Sequence, residues 1–317
     1  MKKIYFRADA SHEIGYGHFI RSLALADILK EDYYCKFFTQ TPSQYQICEM
    51  EKVCEYITLP SDDSKFDVFF DYLDGSEIVV LDNYFYTSEY EKKIKDIGCK
   101  VVTLGSNTRH YYADVIINFT NLSHSDFSAE TYTRYCLGLD WTILRSPFFK
   151  SHNQSRSKLI ICLGGTDQLG YLEIFSNAIS QFYPSENIEL IATDSIGYDR
   201  IRALQSKYSL SLNLNAEQMA QAFSRAKIAI VSASSVAIEA LSQGAAVITG
   251  YYVDNQINIY NALCSANYVL GVGNFSQPNT ITKVIDLIND AESIAKCKTF
   301  SVANTILNYK KLFNSLC

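Results

Sequence analysis

The chain has 317 residues, 48% hydrophobic and 20% charged, the balance of a folded protein about twice the common domain size rather than of a disordered or fibrous chain. Lys and Arg total 28 against 34 Asp and Glu, a net charge of -6, so the basic footprint of a nucleic-acid binder is missing and any phosphate site must be built locally. No run of about 18 apolar residues could span a bilayer, and Arg7, Asp9, His12 and Glu13 break the opening before a signal-peptide core could form, so a cytoplasmic protein without an integral membrane segment is expected.

In chain order, residues 4–6 predict a strand and residues 19–30 a helix, with Ile20, Leu23, Ala24 and Ile28 at helical spacing. Strands follow at 35–39, 78–81, 101–104 and 115–118, and residues 88–98 form a polar helix stopped by glycine. A polar run at 150–158, after Arg145-Ser146-Pro147, reads as a linker. Beyond it, strands at 159–163, 188–192, 228–231 and 246–249 alternate with helices at 236–241, 255–265 and 280–288, and residues 301–316 supply a last amphipathic helix. This is an α/β chain of two Rossmann-like domains, 1–148 and 149–317, with the last helix able to pack back on the first domain. Two such halves place a ligand in the crevice between them.

The 9 cysteines are scattered, odd in number and without a C-x-x-C pair, and none of the 5 histidines has ligand spacing to another His or Cys. Reduced thiols are the expected state, and neither a metal site nor a cofactor is expected.

Chemistry gathers where strands run into helices. Gly15-Tyr16-Gly17-His18, with Arg21 one turn on, follows the first strand, where open α/β sheets place ligands. A helix N-terminus disfavours imidazolium, and a neutral imidazole is a competent general base near pH 7. Arg21 would share the face of His18 and could steady a phosphate or a sugar hydroxyl. A glycine turn with a helix-capping His is the plainer alternative, and the third glycine of the dinucleotide fingerprint is absent. In the second half, Gly164-Gly165-Thr166-Asp167 is a small-residue loop whose amides can cradle a phosphate, although a simple strand-helix turn also explains it. Ser232 to Ser235 gather hydroxyls and amides at a helix start, and Glu239, one turn in, suits a ribose hydroxyl; a serine N-cap with a solvated Glu is the competing account. Asn255 and Gln256 follow the next strand and can read a base, sugar or diphosphate. Together these loops suggest a nucleotide-diphosphate site in the second half facing a His and an Arg in the first.

At these residues the chain resembles a known family. Arg7-Ala8-Asp9, Ile14 to His18, Arg21 and Leu25-Ala26 resemble the opening of the UDP-2,4-diacetamido-2,4,6-trideoxy-β-L-altropyranose hydrolases of pseudaminic acid biosynthesis. Gly164 to Asp167, Ser232 to Ser235, Glu239-Ala240 and Asn255-Gln256 match in the same order, though these loops are shared with MurG-like glycosyltransferases. The resemblance implies a GT-B-like fold, UDP held by the second half, and metal-free water attack at the anomeric carbon with inversion. It implies His18 as general base or water-orienting group, with Gly17 permitting close approach of substrate. Gly165, Thr166, Ser234 and Ser235 would hold the diphosphate, Glu239 the ribose, and Asn255 and Gln256 would complete the pocket, while Gly164, Asp167, Arg21, Asp82 and Tyr84 also match and would belong to the substrate site. Two places depart from the hydrolase pattern: Gly105-Ser106-Asn107 stands where an acidic pair is usual, and Asn83 where a His commonly precedes the tyrosine.

The expected activity is therefore release of UDP from a UDP-sugar, with other enzymes of a surface-glycan pathway as possible partners. The alternatives are a glycosyltransferase, in which His18 deprotonates an acceptor hydroxyl, and a catalytically silent sugar-nucleotide-binding protein. A Rossmann dehydrogenase is the least favoured reading, because no acidic residue ends a second strand about 20 positions after the glycine turn.

Overall fold

The computed structural model describes every residue except 12–14, 107, 151, 153, 165, 166 and 168. The chain divides into two compact units, Met1–Ser146 with Ala303–Cys317, and Pro147–Val302.

The first unit is built on β1 (Lys3–Arg7), α1 (Gly17–Leu29), β2 (Tyr34–Gln40), α2 (Gln44–Glu51), β3 (Glu55–Leu59), α3 (Ser64–Phe70), β4 (Ile78–Leu81), α4 (Ser88–Ile97), β5 (Lys100–Leu104), β6 (His110–Tyr111), β7 (Val115–Asn118), β8 (Ser128–Ala129) and β9 (Arg134–Leu137). Seven strands form one sheet in the order β3-β2-β1-β4-β5-β7-β9, and every pairing in it is parallel. Ile78 to Leu81 are all buried, the continuous apolar run of a strand covered on both faces. Tyr5, Phe38, Phe69, Val79, Leu81, Tyr90, Ile94 and Ile116 belong to one core cluster of this unit.

The second unit contains β10 (Lys158–Cys162), α5 (Tyr171–Ile179), β11 (Ile188–Ala192), α6 (Tyr198–Gln205), β12 (Ser209–Leu212), α7 (Ala216–Arg225), β13 (Ala226–Ser232), α8 (Ser235–Ser242), β14 (Ala246–Tyr251), α9 (Ile257–Ser265), β15 (Leu270–Asn274), α10 (Thr280–Asn289) and α11 (Ala291–Lys296). Its six strands run β12-β11-β10-β13-β14-β15, again parallel in every pairing. Counted within each unit, both sheets begin 3-2-1-4-5, the doubly wound order.

The last helix, α12 (Thr305–Asn314), is part of the first unit. Tyr309 is fully buried there, its hydroxyl donating to the Trp141 carbonyl at 2.5 Å, and the Tyr33 hydroxyl donates to Asn314. The linker is shorter than the polar run implies, since β10 begins at Lys158. Among the described residues no helix is long and apolar enough to cross a membrane.

Candidate functional site

In a doubly wound sheet the order of strands reverses between the first and fourth, and the gap at their carboxyl ends is where ligands bind. In the first unit that gap lies between β1 and β4, and the sequence places His18 after one and Asp82 after the other. Gly15 takes a φ of +81°, which a side chain would resist, and its amide donates to the Ser11 carbonyl at 2.8 Å, just ahead of α1. Gly17 differs: its φ is ordinary and a Cβ there would meet nothing within 4 Å, so the fold itself does not demand glycine.

His18 and Asp82 are both buried, and His18 Nδ1 lies 2.7 Å from Asp82 Oδ1. Arg21 grips the same carboxylate with Nε, at 2.6 Å from Oδ2, and with Nη2 on Oδ1, while the Ser22 hydroxyl donates to Oδ2 at 3.1 Å. Burial alone would push the Asp82 carboxyl up, but the charge and hydrogen bonds of Arg21, with those of His18, hold it below its ordinary value. An ionised carboxylate can only accept, so the bond to Asp82 places a proton on His18 Nδ1, and in the neutral imidazole Nε2 is then the nitrogen that can accept. Arg21 Nη2 also lies 3.1 Å from His18 Nδ1; a guanidinium cannot accept, so with the Nδ1 proton on Asp82 this is a close contact between two donors that share one carboxylate. Exposed Tyr84 packs edge-on against the imidazole, with ring centroids 4.6 Å apart.

His18, Arg21, Asp82 and Tyr84 are thus brought together. The expectation that Arg21 steadies a substrate oxygen meets a different arrangement, in which its Nε and Nη2 are spent on Asp82. Phe119 lies 5.9 Å from that guanidinium. Ser22, which sequence reasoning passed over, lies four residues after His18 and shares its helix face.

In the second unit the corresponding gap lies between β10 and β13. Gly164 follows β10 with a φ of +98°. The Tyr252 hydroxyl donates to the Leu163 carbonyl at 2.8 Å, tying the segment after β14 to this turn. Gly165 and Thr166, expected at the diphosphate, lie outside the described residues, as do Ile14 and Asn107.

Asp167 is buried, and its two oxygens accept from the amides of Tyr171 at 3.0 Å and Leu172 at 3.1 Å. Arg200 adds hydrogen bonds to its carboxylate at 2.7 Å and its carbonyl at 2.9 Å. Burial outweighs these bonds and raises the carboxyl above its ordinary value. Asp167 therefore holds the first turn of α5, and Arg200 anchors the loop, a role for which the sequence carries no local signal.

Ser234 sits in extended backbone at the start of α8 without capping it through its side chain, and Ser235 opens the helix. Glu239 is buried one turn further on. After β14, Asn255 is exposed, whereas Gln256 is buried and accepts the Tyr252 amide at 3.0 Å. Gly164, Ser234 and Ser235 flank the gap, and Asn255 and Gln256 follow the neighbouring strand. Among the described residues no group of His, Cys, Asp and Glu could hold a metal ion.

Two parallel sheets of doubly wound order, with glycine- and serine-bearing turns at their switch points, define the GT-B fold. The same architecture is seen in MurG of Acinetobacter baumannii, with a TM-score of 0.65 and 11% identity over 99% of this chain and 100% of that one. It recurs in HepE of Anabaena solved with UDP-glucose, with a TM-score of 0.61 and 12% identity over 99% of each chain. In sequence the chain resembles the UDP-2,4-diacetamido-2,4,6-trideoxy-β-L-altropyranose hydrolase of Campylobacter jejuni, 26% identical over 283 residues that cover 84% of this chain and 97% of the relative. It is also 24% identical over 281 residues to an uncharacterised protein of Methanocaldococcus jannaschii, spanning 57% of that protein's length. No family model matches the chain.

Proposed function

We propose that this protein hydrolyses a UDP-linked diacetamido-trideoxy sugar, releasing UDP, in the biosynthesis of a nonulosonic (pseudaminic-type) acid or related surface glycan. The observation that carries the reading is the His18–Asp82 couple at the first unit's switch point, with Nε2 left as a base in a chain that resembles a UDP-sugar hydrolase over most of its length. Nε2 takes a proton from water as the water oxygen bonds to the anomeric carbon. The bond from that carbon to the diphosphate breaks on the opposite face, UDP departs with the electron pair, and the configuration inverts. Asp82 fixes the imidazole and balances the imidazolium that forms. Gly17 leaves room for the sugar. Gly164, Gly165, Thr166, Ser234 and Ser235 would receive the diphosphate, Glu239 the ribose, and Asn255 with Gln256 the remaining edge of the nucleotide.

The likeness in fold to MurG supports a second reading, transfer of the sugar to an acceptor hydroxyl, with His18 taking that hydroxyl's proton. Likeness at 11% identity speaks for the fold alone, whereas 26% identity along the chain favours hydrolysis. Phosphorus and proton NMR of UDP-sugars in water, without acceptor or metal, separates the two. Free sugar and UDP, abolished in His18→Ala, establish hydrolysis. Intact UDP-sugar that turns over only when an acceptor is added establishes transfer. For His18→Ala the expected loss of turnover is roughly 10² to 10⁴ with UDP affinity nearly level; an equal loss of affinity would make His18 a binding residue instead.

A further inference from the structure

Arg7 and Asp9 direct their backbone groups toward β4, while the Ala8 amide between them bonds the other way, to Phe38 on β2 at 3.3 Å. The last backbone rung of the β1–β4 ladder is the Asp82 amide donating to the Arg7 carbonyl at 3.2 Å. The next rung would serve the N–H and C=O of Asp9. Both bond instead to one side chain: the Asp9 amide donates to Asn83 Oδ1 at 2.7 Å, and Asn83 Nδ2 donates to the Asp9 carbonyl at 3.1 Å. A carboxamide has the donor and acceptor of a peptide group side by side, so Asn83 continues the ladder one step after the chain itself has turned away.

The far end of this rung is fixed. The Asp9 carboxylate is fully buried, paired bidentately with buried Arg7, and accepts the Gln40 amide at 2.8 Å, with Lys65 at 3.3 Å. Asn83 lies between Asp82, which holds His18, and Tyr84, which packs on His18.

We infer that Asn83 is a positioning residue: its side-chain rung to Asp9 locks the β4 turn against β1, and so sets the Asp82 carboxylate that keeps the His18 proton on Nδ1. The inference rests on the reading of His18 and Asp82 as the proton-accepting couple. Asn83 is peptide-bonded to Asp82 and acts on the couple through that backbone. Displacing Asp82 by a fraction of an ångström frees the imidazole to exchange tautomers, and the tautomer with its proton on Nε2 cannot accept from water.

The test uses the full chain labelled with ¹⁵N-histidine, with the His18 ring signals assigned by their loss in His18→Ala. Long-range proton–nitrogen spectra show which ring nitrogen carries the proton. The expected wild-type pattern is a protonated Nδ1 with a bare Nε2. In Asn83→Ala and in Asn83→Asp, which keeps the shape and loses the donor, the pattern moves to a mixture of tautomers. In the same variants kcat falls about tenfold to a hundredfold, as for a small misplacement of a catalytic group, while UDP binding measured by calorimetry stays within about twofold. Adding Asn83→Ala to Asp82→Asn lowers the rate no further, because both act through one carboxylate.

Unchanged His18 signals in the variants, or rate losses that add in the double variant, overturn the inference. Should Asn83→Ala fail to fold, the isosteric Asn83→Asp decides it. A wild-type protein that releases UDP from no substrate refutes the proposed activity, yet the ring spectra still decide the role of Asn83.

Discussion

In the proposed reaction Asp82 orients the base, and its environment makes a pH prediction with a definite sign. Arg21 and His18 depress its folded-state pKa despite burial. Ionised Asp82 therefore stabilises the fold fully above the ordinary carboxylate value of about 4, and that contribution is lost as pH falls through the depressed folded-state value. Urea unfolding of wild type and Asp82→Asn should show a gap in stability that is widest near neutrality and closes below about pH 4. A gap unchanged to the lowest accessible pH would remove Arg21 and His18 as the cause. The turn bearing His18 could be read from the sequence because glycines and a helix start are local signals. The partner of that histidine, 64 positions away, was legible only as an aspartate at a strand end. Which side chain Arg21 would meet could not be read at all, because pairing across the switch point belongs to the sheet and not to the spacing.

At the scale of the element, helix ends were the most legible feature where their punctuation is complete. In α4 the Thr87 side chain accepts the Tyr90 amide at 3.2 Å and Gly98 ends the helix at a φ of +112°. Thr87→Ala should cost about 1 kcal/mol by losing the cap. Gly98→Ala should cost about 1 to 2 kcal/mol because an alanine resists that backbone angle. Both are measurable as shifts of the urea midpoint at constant slope, and a neutral Gly98→Ala would mean that the turn relaxes freely. Several elements escaped the sequence reading. Edge strand β12, Ser209 to Leu212, has only four residues, with serine at alternate positions, so its apolar run is too short to stand out. Helix α7 does carry a readable signal, the reciprocal Asn215–Gln218 capping box, which the strand-led reading passed over. The Arg200 anchor on Asp167 spans 33 positions and leaves no periodic trace.

For the molecule as a whole, the parallel architecture was the most legible property, because buried parallel strands are continuous apolar runs and both sheets follow one winding rule. The nucleotide site proposed for the second unit makes a global prediction. A ligand that binds only the folded chain raises its stability by mass action, about 2.7 kcal/mol at a hundred times Kd. UDP should therefore raise the melting temperature in a concentration-dependent way. Glu239→Ala should need roughly tenfold more UDP for the same shift, the loss of about one hydrogen bond to a charged group. An identical dose response in that variant would sink the ribose assignment.

The placement of α12 carries a consequence for the order in which the chain matures. The first unit is begun first and finished last, since Ala303–Cys317 follows every residue of the second unit along the chain. Until those residues leave the ribosome, the Trp141 carbonyl lacks Tyr309 and the Tyr33 hydroxyl lacks Asn314. A nascent chain stalled just short of Thr305 holds the complete second unit beside an unfinished first one. If the second unit holds the nucleotide as proposed, such a chain would capture UDP before the half that bears His18 is finished.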